Sequence, residues 1–508
     1  MKLIKKIAAI MFAFMMVVSV SCNVKAVEGT TPTTGETGTI TITNAKVGET
    51  YKLYKILSLE SYSYTENDKV NGNYAYTLTG DDWDDFIKGS NVLNKYFKFD
   101  QTNKYLTWES GTDEARVKEF AQLALKYARN EANGVQPVQP TQKANSNTVT
   151  YSGLDLGYYL VDSSMGTLCA LTTTNPTVEI YEKNTAPTVE KNVGNSAENV
   201  NSDKNTASIG DTVYFKTTIT AQPGAQNYVL HDKMDAGLTF NESSVKAILN
   251  KNKTKKTELT GTDYSVVTSD LEDTNPKCTF HINFSQSLCD SLAANDTITV
   301  TYSAVLNENA EIGNVDKNTN EAWLKYGDSQ TTQHKTTTTK TFEMNVFKFY
   351  IDKNDSNTEK GLADAVFTLS KKSDGTEPIK LIDKSSNVYR VAKRGETGTV
   401  ATITSPKSGK FTIQGLGAGT YYLTEIKQPD GYNKLAKSVK VEIDVNGAIT
   451  VDGKLITGVD KLVKVENKTG TVLPSTGGTG TTMIYLVGAL LVLGSGVVLA
   501  TKRRVKNK

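Results

Sequence analysis

A segment covering about residues 341–472 places three residues that could react with one another at its start, its middle and its end. Side chains alternate between the two faces of a strand. Read with that period, Phe347, Phe349, Ile351 and Lys353 share one face, Tyr421, Leu423 and Glu425 a second, and Val463, Val465 and Asn467 a third. Each apolar row ends in a polar or charged residue. Such residues either sit in solvent at the edge of a core or meet inside it. If they meet, burial lowers the lysine pKa and raises that of the glutamate, so that both can be neutral. A neutral amine is a nucleophile, and a protonated carboxyl can polarise a carboxamide and carry protons. Attack of Lys353 on the Asn467 carboxamide, assisted by Glu425, would expel ammonia and leave an amide cross-link. Lys348 is the alternative nucleophile, although alternation sets it on the face opposite Phe347 and Phe349.

The preceding segment, about 186–340, repeats the arrangement. Val189, Lys191 and Val193 alternate, as do Tyr228, Leu230 and Asp232, and Asn320, Ala322 and Leu324. This reading pairs Lys191 with Asn320 and makes Asp232 the assisting acid. Asn318 lies on the same face as Asn320 and is the alternative acceptor. Residues 27–185 break the pattern. Val178 to Lys183 aligns on Val463 to Lys468, and Glu182 falls at the asparagine position, so no bond is expected there. An internal echo, Gly153 to Asp162 against Gly415 to Glu425, aligns Asp162 with Glu425 and implies that the first and third segments share a fold.

The elements that must position these residues are mostly strands. Thr, Val, Tyr and Gly are abundant, and short apolar runs recur between Asn- and Lys-rich turns, which points to an all-β chain of sandwiches. In the second segment Val213–Thr220, Tyr228–Asp232, Tyr264–Thr268, Cys278–Phe284, Thr297–Leu306 and Asn320–Tyr326 read as strands, with residues 336–341 as a Thr/Lys linker. Helical spacing is confined to the first segment, at 83–96 and 114–132, where Val117, Phe120, Ala121, Ala124 and Leu125 form one stripe. The formal charge of +2 implies no nucleic-acid partner. Apart from Cys22, the cysteines are Cys169, Cys278 and Cys289, an odd number that argues against a disulfide framework and leaves a Cys278–Cys289 pair open. His231, His281 and His334 show no ligand spacing, so neither a metal nor a cofactor is expected.

The two ends specify location. Lys2, Lys5 and Lys6 precede an apolar run from Ile7 to Val20, and Val24-Lys25-Ala26 offers a small-residue cleavage site: residues 1–26 read as a secretory signal peptide. At the other end, residues 473–508 contain Leu473-Pro474-Ser475-Thr476-Gly477, an apolar stretch from Met483 to Ala500 and a basic tail. That stretch is long enough to span a bilayer, and the basic tail holds its end inside. This array resembles the cell-wall sorting signal of Gram-positive surface proteins. The resemblance implies that a sortase cuts between Thr476 and Gly477 and transfers the Thr476 carbonyl to an amine.

The third segment resembles the B-type repeat of collagen adhesin found in Gram-positive pilins, through Lys353-Asn354-Asp355, then Leu362, Ala365 and Phe367, and an E-box from Tyr421 to Tyr432. That E-box reads Glu425-Ile426-Lys427-Gln428 where the family has Glu-Thr-x-x. The second segment resembles the A-type isopeptide-forming middle domain of pilins, through Pro187 to Lys191, Asp232 to Phe240 and Asn318 to Tyr326. The resemblance implies tandem Ig-like sandwiches in the order B-type, A-type, B-type, with helices added to the first. Tyr181-Glu182-Lys183-Asn184 is similar to the pilin segment that supplies the acceptor lysine, with Glu182 in place of a proline, so Lys183 is the candidate acceptor. The implied function is a major pilus shaft subunit that turns over no substrate. Its implied partners are a pilin-specific sortase, further copies of itself, minor pilins and peptidoglycan. A wall-anchored adhesin, or a minor tip or base pilin that holds a host ligand, is the alternative.

Overall fold

The computed structural model describes residues 37–505 except 66–67, 81, 113, 165, 169–176, 183–185, 223, 253, 270–276, 294, 314, 459 and 470–478. The leader, Cys169, Lys183 and the Leu473–Gly477 motif therefore lie outside the described residues. Two compact units result, residues 1–341 and 342–508.

In the first unit, the strand Thr37–Thr43 runs between Thr177–Tyr181, parallel to it, and Thr148–Asp155, antiparallel to it. This small sheet packs on a larger one built around Thr50–Thr65 and Gly157–Ser163. Ile40, Ile42, Tyr51, Tyr159, Val161 and Ile180 fill the space between the two sheets. The other face of the larger sheet is covered by helices, with Trp83, Phe86, Phe120 and Leu125 packed on Tyr158 and Leu160. Coverage on both sides explains why every residue of Gly157–Ser163 is buried. The helical stretch expected over 83–96 is two helices, Trp83–Lys88 and Ser90–Tyr96. Gly89, with an extended ψ of 134°, ends one and starts the other.

Residues 188–340 form a second pair of sheets. One has the order Thr188–Gly194, Thr212–Thr220, Thr297–Leu306, Leu238–Lys251, Lys255–Glu258. The other joins Thr319–Tyr326 and Phe280–Phe284 on either side of Val229–Met234. The expected linker at 336–341 is instead the strand Lys335–Lys340, paired with Thr319–Tyr326 on one side and Lys204–Thr206 on the other. Threonine is β-branched and suits a pleated, half-buried surface, and Thr337, Thr338 and Thr339 are indeed buried.

Charged residues fasten these two parts of the unit together. Glu49, fully buried, accepts hydrogen bonds from the Asp328 and Ser329 amides (2.8 and 3.0 Å) and from the Ser164 hydroxyl (2.6 Å). Arg129, at the end of the helix Glu114–Arg129, bridges Asp162 (2.7 Å), Asp290 (3.0 Å) and the Gly224 carbonyl (3.1 Å).

The second unit is a sandwich of two six-stranded sheets. Its first strand, Phe342–Asp352, is central: it pairs with Lys410–Leu416 and Thr358–Gly361 on one edge and with Leu462–Glu466, parallel, on the other. Gly419–Lys427 is central in the facing sheet. The helix Thr479–Val505 contains a 20-residue span, Ile484–Arg503, with mean hydropathy 2.2, long and apolar enough to cross a membrane.

Candidate isopeptide sites

In the second unit, the strand Phe342–Asp352 buries Phe342, Met344 and Val346 in sequence, and the next residue on that face is Lys348. Lys348 has no exposed surface. Its ammonium hydrogen-bonds to Asn467 Oδ1 and lies 3.3 Å from Glu425 Oε1. Asn467 Nδ2 donates to the same Glu425 oxygen at 2.9 Å, and the Leu435 amide donates to the other at 2.8 Å. The Phe367 ring faces the amine at 5.6 Å. Burial pushes the Lys348 pKa down to about 8, with the Glu425 carboxylate opposing. Lys353, the nucleophile expected from the sequence, is corrected: it lies beyond the strand in an exposed turn, away from Asn467. The expected frame was one residue out of phase because Phe347 and Phe349 stack on each other at 5.4 Å on the opposite face and imitate a core row. The inward row begins earlier, at Phe342.

Residues 188–340 gather the second set in the same way. Lys191 Nζ lies 2.7 Å from Asp232 Oδ2, and both side chains are wholly buried. Asn320, fully buried, donates from Nδ2 to the Tyr302 hydroxyl at 3.3 Å, and that hydroxyl in turn bonds Asp232 Oδ2 and Lys191. Burial lowers the Lys191 pKa and raises those of Asp232 and Tyr302. Asp232 Oδ1 and Asn320 Oδ1 are buried without hydrogen-bond partners. Asn318 is buried too but is otherwise engaged: it accepts from the Glu311 amide (2.8 Å) and donates to the Glu311 and Thr339 carbonyls (3.0 and 3.1 Å). Sequence reasoning missed Tyr302. Its signal was available, since Val300, Tyr302 and Ala304 alternate inward on Thr297–Leu306.

The first sheet pair holds a related constellation without the reactive pair. Ile42 stands in register with Ile180, as Lys348 stands with Val465. Glu182 is buried at the position that Asn467 occupies in the third segment. It accepts from the Tyr51 hydroxyl and from Ser163 Oγ (3.1 Å). The Tyr159 hydroxyl bonds the carbonyl four residues back, at Asp155, and Tyr421 does the same at Gly417. That match shifts the internal echo by one residue: Ser163, not Asp162, corresponds to Glu425. Asp162 faces the helices and pairs with Arg129.

Cys278 and Cys289 are both buried, and no disulfide joins them to each other. Burial pushes the Cys289 thiol up to about 11, which makes it a poor nucleophile.

Sandwich modules followed by an apolar C-terminal helix define a class of protein held at a membrane or wall by its C-terminus. Residues 465–508 match the LPXTG cell wall anchor motif, and residues 347–455 match the SpaA prealbumin-like fold domain. The chain is a cell-wall-anchored surface protein of Gram-positive type that carries a SpaA prealbumin-like domain. Both matched regions are structural or anchoring modules rather than enzyme domains. Comparison with curated proteins finds no match. Among solved structures, the pilus 2b backbone protein of group B streptococcus is 27% identical, over 56% of this chain and 99% of that chain, with a TM-score of 0.40. Full-length RrgB pilus protein from Streptococcus pneumoniae is 15% identical, over 87% and 100%, with a TM-score of 0.42. The major pilin SpaA of Corynebacterium diphtheriae is 16% identical, over 85% and 100%, with a TM-score of 0.39. All three TM-scores lie below 0.5.

Proposed function

We propose that this chain is the shaft subunit of a covalently polymerised pilus, and that it closes two internal amide bonds, Lys348–Asn467 and Lys191–Asn320. The observation that carries the internal bonds is the position of Glu425 Oε1, 3.3 Å from the attacking amine and 2.9 Å from the departing Asn467 nitrogen. One oxygen can take a proton from the first and give it to the second. The Lys348 Nζ–Asn467 Cγ bond forms, the Cγ–Nδ2 bond breaks and ammonia leaves; Glu425 ends as it began. In the other site Asp232 contacts the amine directly and reaches Asn320 through the Tyr302 hydroxyl, so the proton path has one more member. Each reaction occurs once per molecule.

The bond between subunits is proposed to join Thr476 of one copy to Lys183 of the next, through a pilin-specific sortase. Supporting it are the Leu473–Gly477 motif ahead of an apolar helix, and the place of Lys183 directly after the buried Glu182. Glu182 takes the position of the proline found before the acceptor lysine in pilins. Its buried carboxylate, held by Tyr51 and Ser163, anchors the segment that leads into Lys183. Three modules, residues 27–185, 186–340 and 341–472, then form one shaft repeat.

Coexpression of the full chain with a pilin sortase tests this. A ladder of covalent multimers that Lys183→Ala abolishes supports the shaft. A ladder that survives the substitution moves the acceptor elsewhere, and a single wall-linked product with no ladder favours an anchored adhesin or minor pilin.

A further inference from the structure

His231 and His281 lie on neighbouring strands, Val229–Met234 and Phe280–Phe284, and His334 comes beside them from the segment just before Lys335–Lys340. His231 stands in register with His281 on one neighbouring strand and with Trp323 on the other. The Trp323 ring stacks on His231 at 5.1 Å and on His334 at 4.5 Å, and the His231 and His281 rings are 5.5 Å apart. His231 precedes the inward-facing Asp232, so this row lies on the outer face, away from the Lys191 site. The buried Cys278 joins the row from the segment leading into Phe280–Phe284, with its Sγ 3.6 Å from His231 Nδ1.

One donor atom from each of His231, Cys278 and His281 lies within 4.8 Å of the others. With Zn–S about 2.3 Å and Zn–N about 2.0–2.1 Å, tetrahedral ligation sets sulfur and nitrogen about 3.6 Å apart. The Cys278–His231 separation has that value. His281 Nδ1 is buried without a hydrogen-bond partner, so it is a second nitrogen available for ligation. His334 is engaged elsewhere, 2.9 Å from Glu321. One thiolate and two imidazoles suit zinc and its borderline neighbours, and disfavour calcium and magnesium, which take oxygen ligands.

We propose that His231, Cys278 and His281 bind one divalent ion of the zinc class, with the fourth coordination position open to solvent beside the half-buried His281. Binding displaces the Cys278 thiol proton and ties the strand Val229–Met234 to the segment entering Phe280–Phe284.

The test is titration of the reduced full chain, in detergent, with Co²⁺ and then Zn²⁺. One equivalent of Co²⁺ is expected to give a thiolate-to-cobalt charge-transfer band that Zn²⁺ displaces, and Zn²⁺ is expected to raise the melting temperature. Cys278→Ser is expected to abolish the band, and His281→Ala to weaken binding roughly tenfold or more. Because His281 is half-buried, its substitution serves if Cys278→Ser does not fold, and melting without metal verifies folding in each case. Absence of a band in the folded wild-type chain overturns the proposal. So does a band that persists in folded Cys278→Ser, or affinity unchanged in His281→Ala.

Discussion

Replacing Lys348 by alanine separates the two candidate nucleophiles of the second unit most directly. If Lys348 reacts, the processed wild-type chain is lighter than its sequence by about 34 Da, since each of two condensations releases about 17 Da of ammonia. Lys348→Ala then retains one of those losses only, whereas Lys353→Ala retains both. The stability change follows from the loop that the bond closes, which spans 119 residues. Cross-linking a loop of that length removes about 5 kcal/mol of chain entropy from the unfolded state. For a domain of this size, roughly 4 °C in Tm per kcal/mol makes the expected drop on the order of 20 °C. Alanine at 348 also leaves Glu425 without its ammonium partner, so Asn467→Ala, which keeps the amine, is the companion variant. Intact and tryptic mass spectrometry, with calorimetry of the same samples, reads both quantities. A cross-linked peptide containing Lys353, two ammonia losses in Lys348→Ala, or a melting shift of only a few degrees would falsify the assignment.

The rate of the same reaction depends on pH in a definite direction. A lysine pushed down to about 8 is neutral in about one molecule in ten at pH 7, against about one in 2,500 at an ordinary lysine pKa near 10.4. Before reaction, burial of the charged amine disfavours folding most below pH 8, and that penalty fades as pH rises toward the unfolded pKa. Chain recovered unreacted from inclusion bodies and refolded between pH 6 and 9 should release ammonia about tenfold faster per unit until pH 8, then level off. A flat profile contradicts a neutral-amine mechanism. In the other site, Tyr302→Phe keeps the ring that stacks on Phe215 at 5.5 Å but removes the hydroxyl, and should slow Lys191–Asn320 bond formation about 10²-fold or more. Digests taken through refolding would measure this, and an unchanged rate removes Tyr302 from the proton path. Arg129→Ala uncovers the Asp162 and Asp290 carboxylates and should cost about 3–5 kcal/mol. A single unshifted calorimetric transition for residues up to 341 would show that the clamp is not needed.

Much of the architecture was legible because strand alternation and turn composition are local properties. Lys191 sits between Val189 and Val193, Asp232 ends the row of Tyr228 and Leu230, and Asn320 opens the row of Ala322 and Leu324; register joins the strands of Asp232 and Asn320 in one sheet, and packing of the facing sheet brings Lys191 to them. Lys348 was misread because Phe347 and the buried Phe349 form an apolar pair on the opposite face of the sheet, and a period of two cannot tell which of two apolar faces holds the reactive set. The threonine run at 336–341 read as a linker because its burial depends on neighbours more than a hundred residues away at Lys204–Thr206. The one-residue shift that puts Ser163 opposite Glu182 was invisible for a related reason. An insertion can be absorbed on either side of a turn, and only the hydroxyl contacts of Tyr159 and Tyr421 identify the equivalent positions.

Taken by itself, the sequence determined that this chain is mostly β, carries an anchor motif of LPXTG type and sets lysine, acid and asparagine in alternating apolar rows. These are statements about order and period along one chain. Tertiary structure decided which lysine faces which amide, that Asn320 faces the Tyr302–Asp232 pair while Asn318 is tied to backbone groups, and that three histidines and a cysteine without ligand spacing share one patch of the fold. Reactivity and ligation both require atoms within a few ångströms of each other, and here those atoms come from strands far apart in the chain, brought together only by sheet register and the packing of one layer on the next.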